Sequence, residues 1–565
     1  MTRFRLALLV LISIGSAAAE TRAEPPRLIL QITVDQLRGD LIRRHLDQFG
    51  EGGFRYLLDH GTVYEDAHHR HANTETIVGH TTLATGADPS THGMVANVWM
   101  DRSADVLTYA IEDPDHHLLS RDADVDKNTE IDPTQRKARS DGRSPSRILV
   151  STFGDELSMF TAGKSKVFGV SVKDRGAVAM AGHAGKAFWF SKKTGEFVTS
   201  SYYYDEYPAW VIEWNRKRPS ARWSGTSWKL LRERETYLFG DRDDRPYETD
   251  LAGFGRIFPH PFGEAEGNRY YTTLLTISPA GDELTLEFAK ELLKQEGVGN
   301  DSVTDYLSIS FSCTDYIGHL FGPSSLESED NLLRLDRTLA DLFKFIDEEV
   351  GLDQTVIVLS ADHGGAEAPG HLNEHGLDAA QYIDLDALDR EPAIQALKKQ
   401  FGIGEEIVRS YYHPYVYLDR ELIAEHDLDP AEVESLIAAE MMKMNGIALA
   451  VPSSRLESGA LPNTPLISKV LRNFNPKRSG DIYVVYESHS FINDMEGLVV
   501  ATTHGSPWTY DTYVPLIFAG PGIARQTVHR RVHTVDVATT LSAIVGCKPP
   551  SGASGKRLVE VLSGE

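Results

Sequence analysis

The sequence predicts an α/β fold in which helices cover both faces of a mostly parallel central β-sheet. Five short apolar runs of strand length recur along the 565-residue chain, and helical patterns such as 284–295 and 332–350 lie between them. Near-continuous apolar strands are typical of a sheet buried on both faces, and such sheets are usually parallel. The alternation of strands and helices therefore favours a doubly wound architecture.

The predicted strands share one further property, because polar or glycine residues follow each of them directly. The strands are 28–34, 167–172, 306–312, 355–360 and 514–519. In open α/β sheets the ligand lies beyond the carboxyl ends of the strands. The polar residues that follow four of these strands are therefore expected to meet at one edge of the sheet.

The first 19 residues have the pattern of a secretory signal peptide. Arg3 and Arg5 precede an apolar run, and Ala17 and Ala19 form a small-residue cleavage site. The apolar run is too short to cross the ~30 Å of hydrocarbon in a bilayer. We therefore expect cleavage after Ala19 and a periplasmic or secreted, soluble product with no membrane anchor.

The remaining chain, 26–565, is predicted to be one α/β core with two insertions. The first insertion, at about 185–275, is rich in Tyr, Trp, Arg and Gly. The second, at about 374–500, has its own helical pattern at 430–444 and strand pattern at 482–488. Both are expected to form α+β walls over the edge of the sheet that carries the site.

Charge and cysteine content exclude several classes of protein. Lys and Arg total 57 against 82 Asp and Glu, a net charge of −25. Such an acidic chain lacks the positive field needed to wrap nucleic acid. Two cysteines, Cys313 and Cys547, exclude a disulfide-dense scaffold and a four-cysteine zinc module. The sequence leaves open whether the two cysteines form a disulfide or remain two buried thiols.

Six residues have the side chains and positions of metal ligands. Asp and His are usual oxygen and nitrogen ligands of zinc. The Asp-x-x-x-His spacing at 315–319 places both side chains on one face if a helical turn starts there. Each residue alone is equally well explained as a helix cap or a core histidine, so the combination carries the prediction. The candidates are Asp35, Asp315, His319, Asp362, His363 and His504.

Thr76 precedes a predicted helix, 77–85, and is the predicted N-cap. Threonine is a good cap, so capping alone explains the residue. A hydroxyl at a helix N-terminus also faces free N–H groups that favour a phosphate. A metal ion bound to that hydroxyl lowers its pKa and makes it a nucleophile.

Lys173 and Arg175 follow a predicted strand. In an extended segment, residues two apart point to the same face. An ammonium and a guanidinium together suit a phosphate dianion. Taken alone, the pair is better explained as two solvated cations at a strand end.

With these motifs the chain resembles the alkaline phosphatase superfamily, and within it the zinc-only, phosphate-irrepressible bacterial alkaline phosphatases with a threonine nucleophile. The resemblance implies that Thr76 is the nucleophile and that Asn97, Lys173 and Arg175 bind the phosphoryl group. It also implies two Zn²⁺ ions per chain. One would be held by Asp315, His319 and His504, and the other by Asp35, Asp362, His363 and Thr76.

The implied activity is hydrolysis of small phosphate monoesters through a phosphothreonine, by a monomeric enzyme. The alternatives are a zinc phosphodiesterase or nucleotide pyrophosphatase of the same superfamily, and a non-catalytic phosphate-binding relative. A sulfatase is disfavoured because neither cysteine lies in a C/S-x-P-x-R context. The remaining histidine clusters are expected to have surface or supporting roles: His68, His69, His71, His116, His117, His371 and His375.

Overall fold

The fold is described from a computed structural model of the chain. The structure describes residues 25–102, 104–385, 388–495 and 497–562. The predicted signal peptide at 1–19 lies outside these residues. Among the helices described, none combines the length and the apolar character that a bilayer crossing requires.

Thirteen of the described strands build two sheets, a nine-stranded central sheet and a four-stranded sheet in the second predicted insertion. They are β1 (Leu28–Val34), β2 (Thr62–Tyr64), β3 (Val167–Ser171), β4 (Lys186–Ser191), β5 (Glu196–Val198), β6 (Asp305–Phe311), β7 (Thr355–Ser360), β8 (Val408–Tyr412), β9 (Tyr415–Leu418), β10 (Ile447–Pro452), β11 (Ile482–Tyr486), β12 (Leu516–Ala519) and β13 (Gln526–Val528). Shorter strands form two-stranded ribbons: Ala67–His68, Val98–Asp101, Val106–Tyr109, Ser227–Trp228, His260–Pro261, Gln381–Tyr382, Ser490–Phe491, Asp494–Met495, Leu498–Val499 and Val532–His533.

The described α-helices of eight or more residues are α1 (Thr76–Thr85), α2 (Phe153–Phe160), α3 (Asp174–Ala181), α4 (Ala209–Arg216), α5 (Pro279–Glu296), α6 (Cys313–Phe321), α7 (Leu326–Glu349), α8 (Pro392–Phe401), α9 (Pro430–Met441), α10 (Pro465–Asn473) and α11 (Asp536–Val545). Shorter helices are Leu41–Arg44, Phe54–His60, Pro89–His92, Pro133–Arg136, Tyr271–Thr276, Pro369–Glu374, Arg420–Glu425, Ser453–Ser458, Thr509–Thr512 and Val559–Leu562.

The central sheet has the strand order β13-β2-β12-β7-β1-β6-β3-β4-β5. The central strand β1 pairs in parallel with both β6 and β7, and β6 pairs in parallel with β3. The prediction of a mostly parallel sheet is confirmed. The predicted strand 514–519 corresponds to β12, which runs antiparallel to β7. Because of this reversal, β12 starts, rather than ends, at the edge where β7 ends.

Helices cover both faces of the sheet, as predicted. On one face, Leu30 and Ile32 of β1 share a buried apolar cluster with Phe288 of α5 and Leu335 of α7. On the other face, Ile29 shares a cluster with residues of α2 and α11. Successive strand residues point to opposite faces, so one apolar strand supplies both cores.

The two predicted insertions have different outcomes. The segment 374–500 contains the four-stranded sheet β8-β9-β11-β10 with its own buried core. The start of the first insertion was placed too early, because β4 and β5 extend the central sheet. Phe197 of β5 stacks on Phe288 of α5 with ring centroids 4.1 Å apart. Aromatic richness at this point therefore reflects core packing.

Candidate metal centre and active site

The ends of four neighbouring parallel strands bring the predicted site residues together. Asp35 follows β1, Lys173 follows β3, Asp315 lies in the first turn of α6 after β6, and Asp362 and His363 follow β7. All five side chains are buried. Residues remote in sequence therefore meet at the carboxyl edge of the sheet, as doubly wound sheets require.

The first cluster of possible metal ligands surrounds Asp315. Its Oδ1 lies 3.3 Å from Nε2 of His319 and 3.3 Å from Nε2 of His504. The prediction that Asp315 and His319 share a helical face is confirmed, because both lie on α6. The other ring nitrogen of each histidine contacts a backbone carbonyl, 2.9 Å away at Thr502 and 2.8 Å away at Thr74. Such contacts fix the ring orientation that metal binding needs.

The second cluster surrounds His363. Its Nε2 lies 3.4 Å from Oδ1 of Asp35 and 3.4 Å from Oδ2 of Asp362. The His363 ring also stacks on His504 with centroids 3.6 Å apart, so the two clusters adjoin. One set of possible ligand atoms here consists of Asp35, Asp315 and His363, all within 4.8 Å of one another. Asp362 joins this set through its contact with His363.

Polar atoms in the second cluster support a metal site. Oδ1 of Asp35 and Nε2 of His363 are buried without a hydrogen-bond partner in the described part of the chain. Burial and then the Asp362 carboxylate raise the pKa of Asp35 well above its usual range. Burial lowers the pKa of His363 and favours its neutral form. Crowded carboxylates and a neutral imidazole form a donor set that fits a divalent cation such as zinc.

Lys173 lies between the two clusters. Its Nζ is 2.8 Å from Oδ2 of Asp35 and 2.5 Å from Oδ2 of Asp315, and it lies 4.7 Å from the centre of the Tyr316 ring. Burial opposes its charge, but the carboxylates of Asp315 and Asp35 outweigh this and raise the pKa of Lys173. Lys173 is therefore a buried cation held by two candidate metal ligands.

Arg175 lies in a different environment. Its Nη1 is 2.5 Å from Oδ2 of Asp132, and its Nη2 donates to Oγ1 of Thr76 at 3.4 Å. The premise that Lys173 and Arg175 share an extended segment is wrong, because β3 ends at Ser171 and α3 begins at Asp174. The helix turns the two side chains to different carboxylates, although both remain at the site.

Thr76 is the first residue of α1. The N-cap is Glu75, with φ −91° and ψ 160°, so the prediction that Thr76 is the cap is wrong by one position. Asn97 lies against the same turn, because its Oδ1 accepts a hydrogen bond from the Ile77 N–H at 3.1 Å. The Asn97 N–H in turn donates to Oε2 of Glu75 at 2.7 Å. The start of the helix and the asparagine loop thus form one buried unit.

A close backbone approach places this helix on the second cluster. A Cβ atom added at Gly79 would lie 1.8 Å from the carbonyl oxygen of Asp362. Only glycine allows this approach. One turn of α1 therefore sits directly on the backbone of a candidate metal ligand, and Thr76 lies at the start of that turn.

Four further residues support the site, and sequence reasoning missed them. Gln36 donates from Nε2 to Oδ1 of Asp315 at 2.7 Å, and its backbone adopts φ 65°. Nδ1 of His80 lies 3.2 Å from Oδ2 of Asp362. Glu75 holds the Asn97 loop, and Asp132 holds Arg175. The only sequence signal for Gln36 is that it follows Asp35, and the only one for Glu75 is that it precedes Thr76. Asp132 has no sequence signal that points to the site.

The other histidines lie outside both clusters of possible ligands in the described structure. His68, His69 and His71 are buried, whereas His371 and His375 lie partly or fully exposed on a short helix. His69 contacts the carbonyl oxygen of Ala361 at 3.0 Å, which is consistent with a supporting role. The described cysteines, Cys313 and Cys547, are free.

A cavity of about 280 Å³ opens above the site. Asn97, Arg175, Asp315, His319 and His504 line its base. Its walls include aromatic and apolar side chains from the second insertion: Tyr411, Tyr412, Tyr486, Phe491, Ile492, Met495 and Leu498. Residues of the segment 374–500 therefore line the cavity beside the candidate metal ligands.

The fold and the site define an α/β enzyme with two adjoining clusters of possible metal ligands at the carboxyl edge of its sheet. The family model for type I phosphodiesterases and nucleotide pyrophosphatases matches residues 29–507. The chain belongs to this family, which places it in the alkaline phosphatase superfamily.

Curated relatives cover nearly the whole chain. Alkaline phosphatase PafA of Elizabethkingia meningoseptica is 33% identical, with 96% of each chain covered. A protein of Myroides odoratus named a calcium-transporting ATPase is 32% identical over 96% of each chain. Alkaline phosphatase PhoV of Synechococcus elongatus is 31% identical over 95% of this chain and 93% of its own.

A solved structure of an alkaline phosphatase is also similar to this chain. The crystal structure of an alkaline phosphatase PafA matches with a TM-score of 0.85 and 32% identity, covering 95% of this chain and 99% of that one. A solved variant of PafA carries replacements at one threonine, one asparagine, one lysine and one arginine. These comparisons confirm the predicted superfamily, fold and enzyme class, an alkaline phosphatase.

Proposed function

We propose that the protein is a zinc-dependent phosphomonoesterase that works through a phosphothreonine at Thr76. The observation that carries the proposal is the position of the Thr76 hydroxyl. It lies at the start of a buried helix, within reach of Arg175, and the helix rests on the backbone of Asp362. The four residue types replaced in the PafA variant are the types of Thr76, Asn97, Lys173 and Arg175.

Two zinc ions would be held by Asp315, His319 and His504 and by Asp35, Asp362 and His363. When bound, they supply Lewis-acid chemistry that lowers the pKa of a hydroxyl and stabilises negative charge on phosphoryl and leaving oxygens. Both groups supply oxygen and neutral nitrogen donors that catalytic zinc sites use.

The chain's own residues carry the rest of the reaction. Oγ1 of Thr76 loses its proton to solvent and attacks phosphorus in line. The P–O bond to the alcohol breaks, and the departing oxygen takes up a proton from solvent and leaves as the alcohol. Water then cleaves the phosphothreonine, which releases phosphate and restores the hydroxyl. Arg175, oriented by Asp132, and Asn97 hold the non-bridging oxygens. Arg175 supplies positive charge and Asn97 supplies a neutral hydrogen-bond donor, and both are preorganised.

Lys173 supports a preference for monoesters over diesters. It adds a second buried cation, and a monoester dianion carries more negative charge than a diester. A phosphodiesterase is the second candidate, since the matching family model is named for that activity. The two cations at the site favour the monoester.

The decisive experiment compares an aryl phosphate monoester with the matching diester, with zinc present and after chelation. We expect strong monoester turnover, weak diester turnover and loss of both on chelation. Preferred diester turnover would support the phosphodiesterase. No turnover in a folded, zinc-loaded protein would support a non-catalytic phosphate-binding relative.

We further propose that the protein is exported, cleaved after Ala19 and monomeric. The basic start, the short apolar run and the Ala17–Ala19 cleavage pattern support export. N-terminal sequencing of the exported protein should give Glu20 as the first residue. A first residue at Met1, or an oligomer in sedimentation, would contradict these parts of the proposal.

A further inference from the structure

A second cavity of about 260 Å³ lies apart from the catalytic cavity, and it is lined with basic side chains. We call it the basic pocket. Its lining includes four cationic side chains: Arg70, Lys469, Arg472 and Arg531. In a chain with a net charge of −25, such a concentration of cations in one cavity calls for a physical explanation.

One face of α10 forms a wall of the basic pocket. Ser468, Lys469 and Arg472 line the cavity, and their spacing places them on neighbouring positions of one helical face. On the same helix, Ile467 and Val470 are buried in a core cluster. The apolar face fixes the helix in the protein, so its basic face is held towards the cavity.

Two of the four cations are neutralised by carboxylates. Arg70 forms a two-pronged pair with Asp88, with both distances 2.8 Å. Arg531 forms a similar pair with Asp66 at 3.0 and 3.1 Å. These pairs orient two guanidinium groups at the rim but leave little net charge there.

The other two cations have no such partner. Within the described residues, no carboxylate lies within 4.0 Å of Lys469 or Arg472. Nζ of Lys469 donates to the carbonyl oxygen of Pro507 at 2.5 Å, and Nη1 of Arg472 donates to the carbonyl oxygen of Ser468 at 3.1 Å. A lysine has three N–H donors and an arginine five, so most donors of both groups remain for a ligand.

The cations of the pocket lie close enough together to repel one another. Burial and then Arg531 lower the pKa of Lys469 to about 8. Asp511 opposes this effect, but its Oδ2 already accepts hydrogen bonds from the N–H and hydroxyl of Ser506. Burial lowers the pKa of His68 to about 4, so this ring is neutral near pH 7. An anion bound here would relieve the repulsion among the cations.

We propose that the basic pocket is a second, non-catalytic binding site for a phosphate group. Two donor-rich cations without carboxylate partners, in a concave site, suit a small tetrahedral oxyanion. Because the groups line a cavity between α10, the Thr509–Thr512 helix and Val532–His533, free inorganic phosphate fits better than a lipid surface. Inorganic phosphate is also a product of the proposed reaction.

Phosphate stoichiometry tests the proposal, with radiolabelled inorganic phosphate in equilibrium dialysis. The zinc-loaded protein should bind two phosphates per chain, and the metal-free protein should retain one. Lys469→Met/Arg472→Gln should remove one phosphate in each state. Arg472→Gln alone keeps the contact of Lys469 with Pro507 and should weaken the second site by about ten- to a hundredfold.

The matched control is Arg390→Gln/Lys399→Met. It removes the same charge from two exposed residues outside the pocket and should bind as wild type does. Equal stoichiometry in wild type and the pocket variant would overturn the proposal. Sedimentation with phosphatidylglycerol vesicles that depends on Lys469 and Arg472 would also overturn it, in favour of a surface site. Both measurements are independent of monoester turnover. A failure of the second phosphate site can therefore be distinguished from a failure of the proposed activity.

Discussion

The carboxyl edge of the sheet that carries the candidate active site, here called the catalytic edge, holds two buried cations, whereas the cations of the basic pocket are partly or fully exposed. The two regions also balance charge in opposite ways. At the catalytic edge Lys173 lies against Asp35 and Asp315, and Arg175 lies against Asp132. In the basic pocket Lys469 and Arg472 have no carboxylate partner within 4.0 Å in the described chain. The catalytic edge therefore needs metal cations before it favours an anion, whereas the pocket attracts an anion by itself.

Removal of metal should have the largest effect, and it should affect the two regions differently. Chelation should abolish monoester turnover, and zinc should restore it with about two ions bound per chain. Phosphate binding in the basic pocket should survive chelation. Metal analysis of the active protein and dialysis of the metal-free protein measure these outcomes. Full activity without metal would contradict the proposed difference between the catalytic edge and the basic pocket.

The second largest effect is expected at Thr76. Thr76→Ala should lower turnover by several orders of magnitude, because no other hydroxyl replaces the nucleophile. Thr76→Ser keeps the hydroxyl and should retain substantial activity. Mass spectrometry after acid quench should find phosphate on Thr76. Near-normal turnover of a folded, zinc-loaded Thr76→Ala protein would mean that water attacks directly.

The sequence predicted the catalytic edge far better than the pocket, and the reason is geometric. Strand ends in a parallel sheet converge by topology, so Asp35, Asp315 and Asp362 could be grouped without coordinates. The basic pocket joins α10 to a short helix and a short strand that are remote in sequence, and no repeat spacing brings Lys469 close to Arg531. The contact between Asp132 and Arg175 could not be predicted for the same reason, because the sequence around Asp132 has no pattern that points to Arg175.

The sequence predictions that were wrong concern helix boundaries and strand direction. A boundary shift of one residue moved the N-cap from Thr76 to Glu75, and an early helix start separated Lys173 from Arg175. The reversed strand β12 follows from pairing, which an apolar run does not encode. The site residues nevertheless met at one edge, because strand topology tolerates such shifts.

A smaller effect should appear at Arg175, where function and stability are linked. Arg175→Ala leaves Asp132 buried without its partner and should destabilise the fold by about 3–5 kcal/mol. Arg175→Ala/Asp132→Asn removes the stranded charge and should recover part of this loss. Both variants should lose monoester turnover more than diester turnover. Denaturant unfolding and the ratio of the two activities measure the effects. Equal loss on both substrates would assign Arg175 a structural role.

The smallest expected effect is that of Thr76→Ala on folding stability. An N-cap threonine replaced by alanine costs about 0.5–2 kcal/mol, because a backbone donor loses its partner. Thr76 is the first helical residue and Glu75 is the N-cap, so the capping cost does not apply in full to Thr76. Its hydroxyl meets Arg175 only at 3.4 Å, and alanine has a higher helix propensity than threonine by up to ~0.7 kcal/mol. The two effects oppose each other, so the free energy of unfolding should change by less than about 1 kcal/mol. Thr76→Ala would then combine an unchanged fold with lost turnover, the behaviour expected of a nucleophile and not of a cap. A larger loss of stability, measured by urea unfolding of the metal-free protein, would show that the hydroxyl also holds the start of the helix.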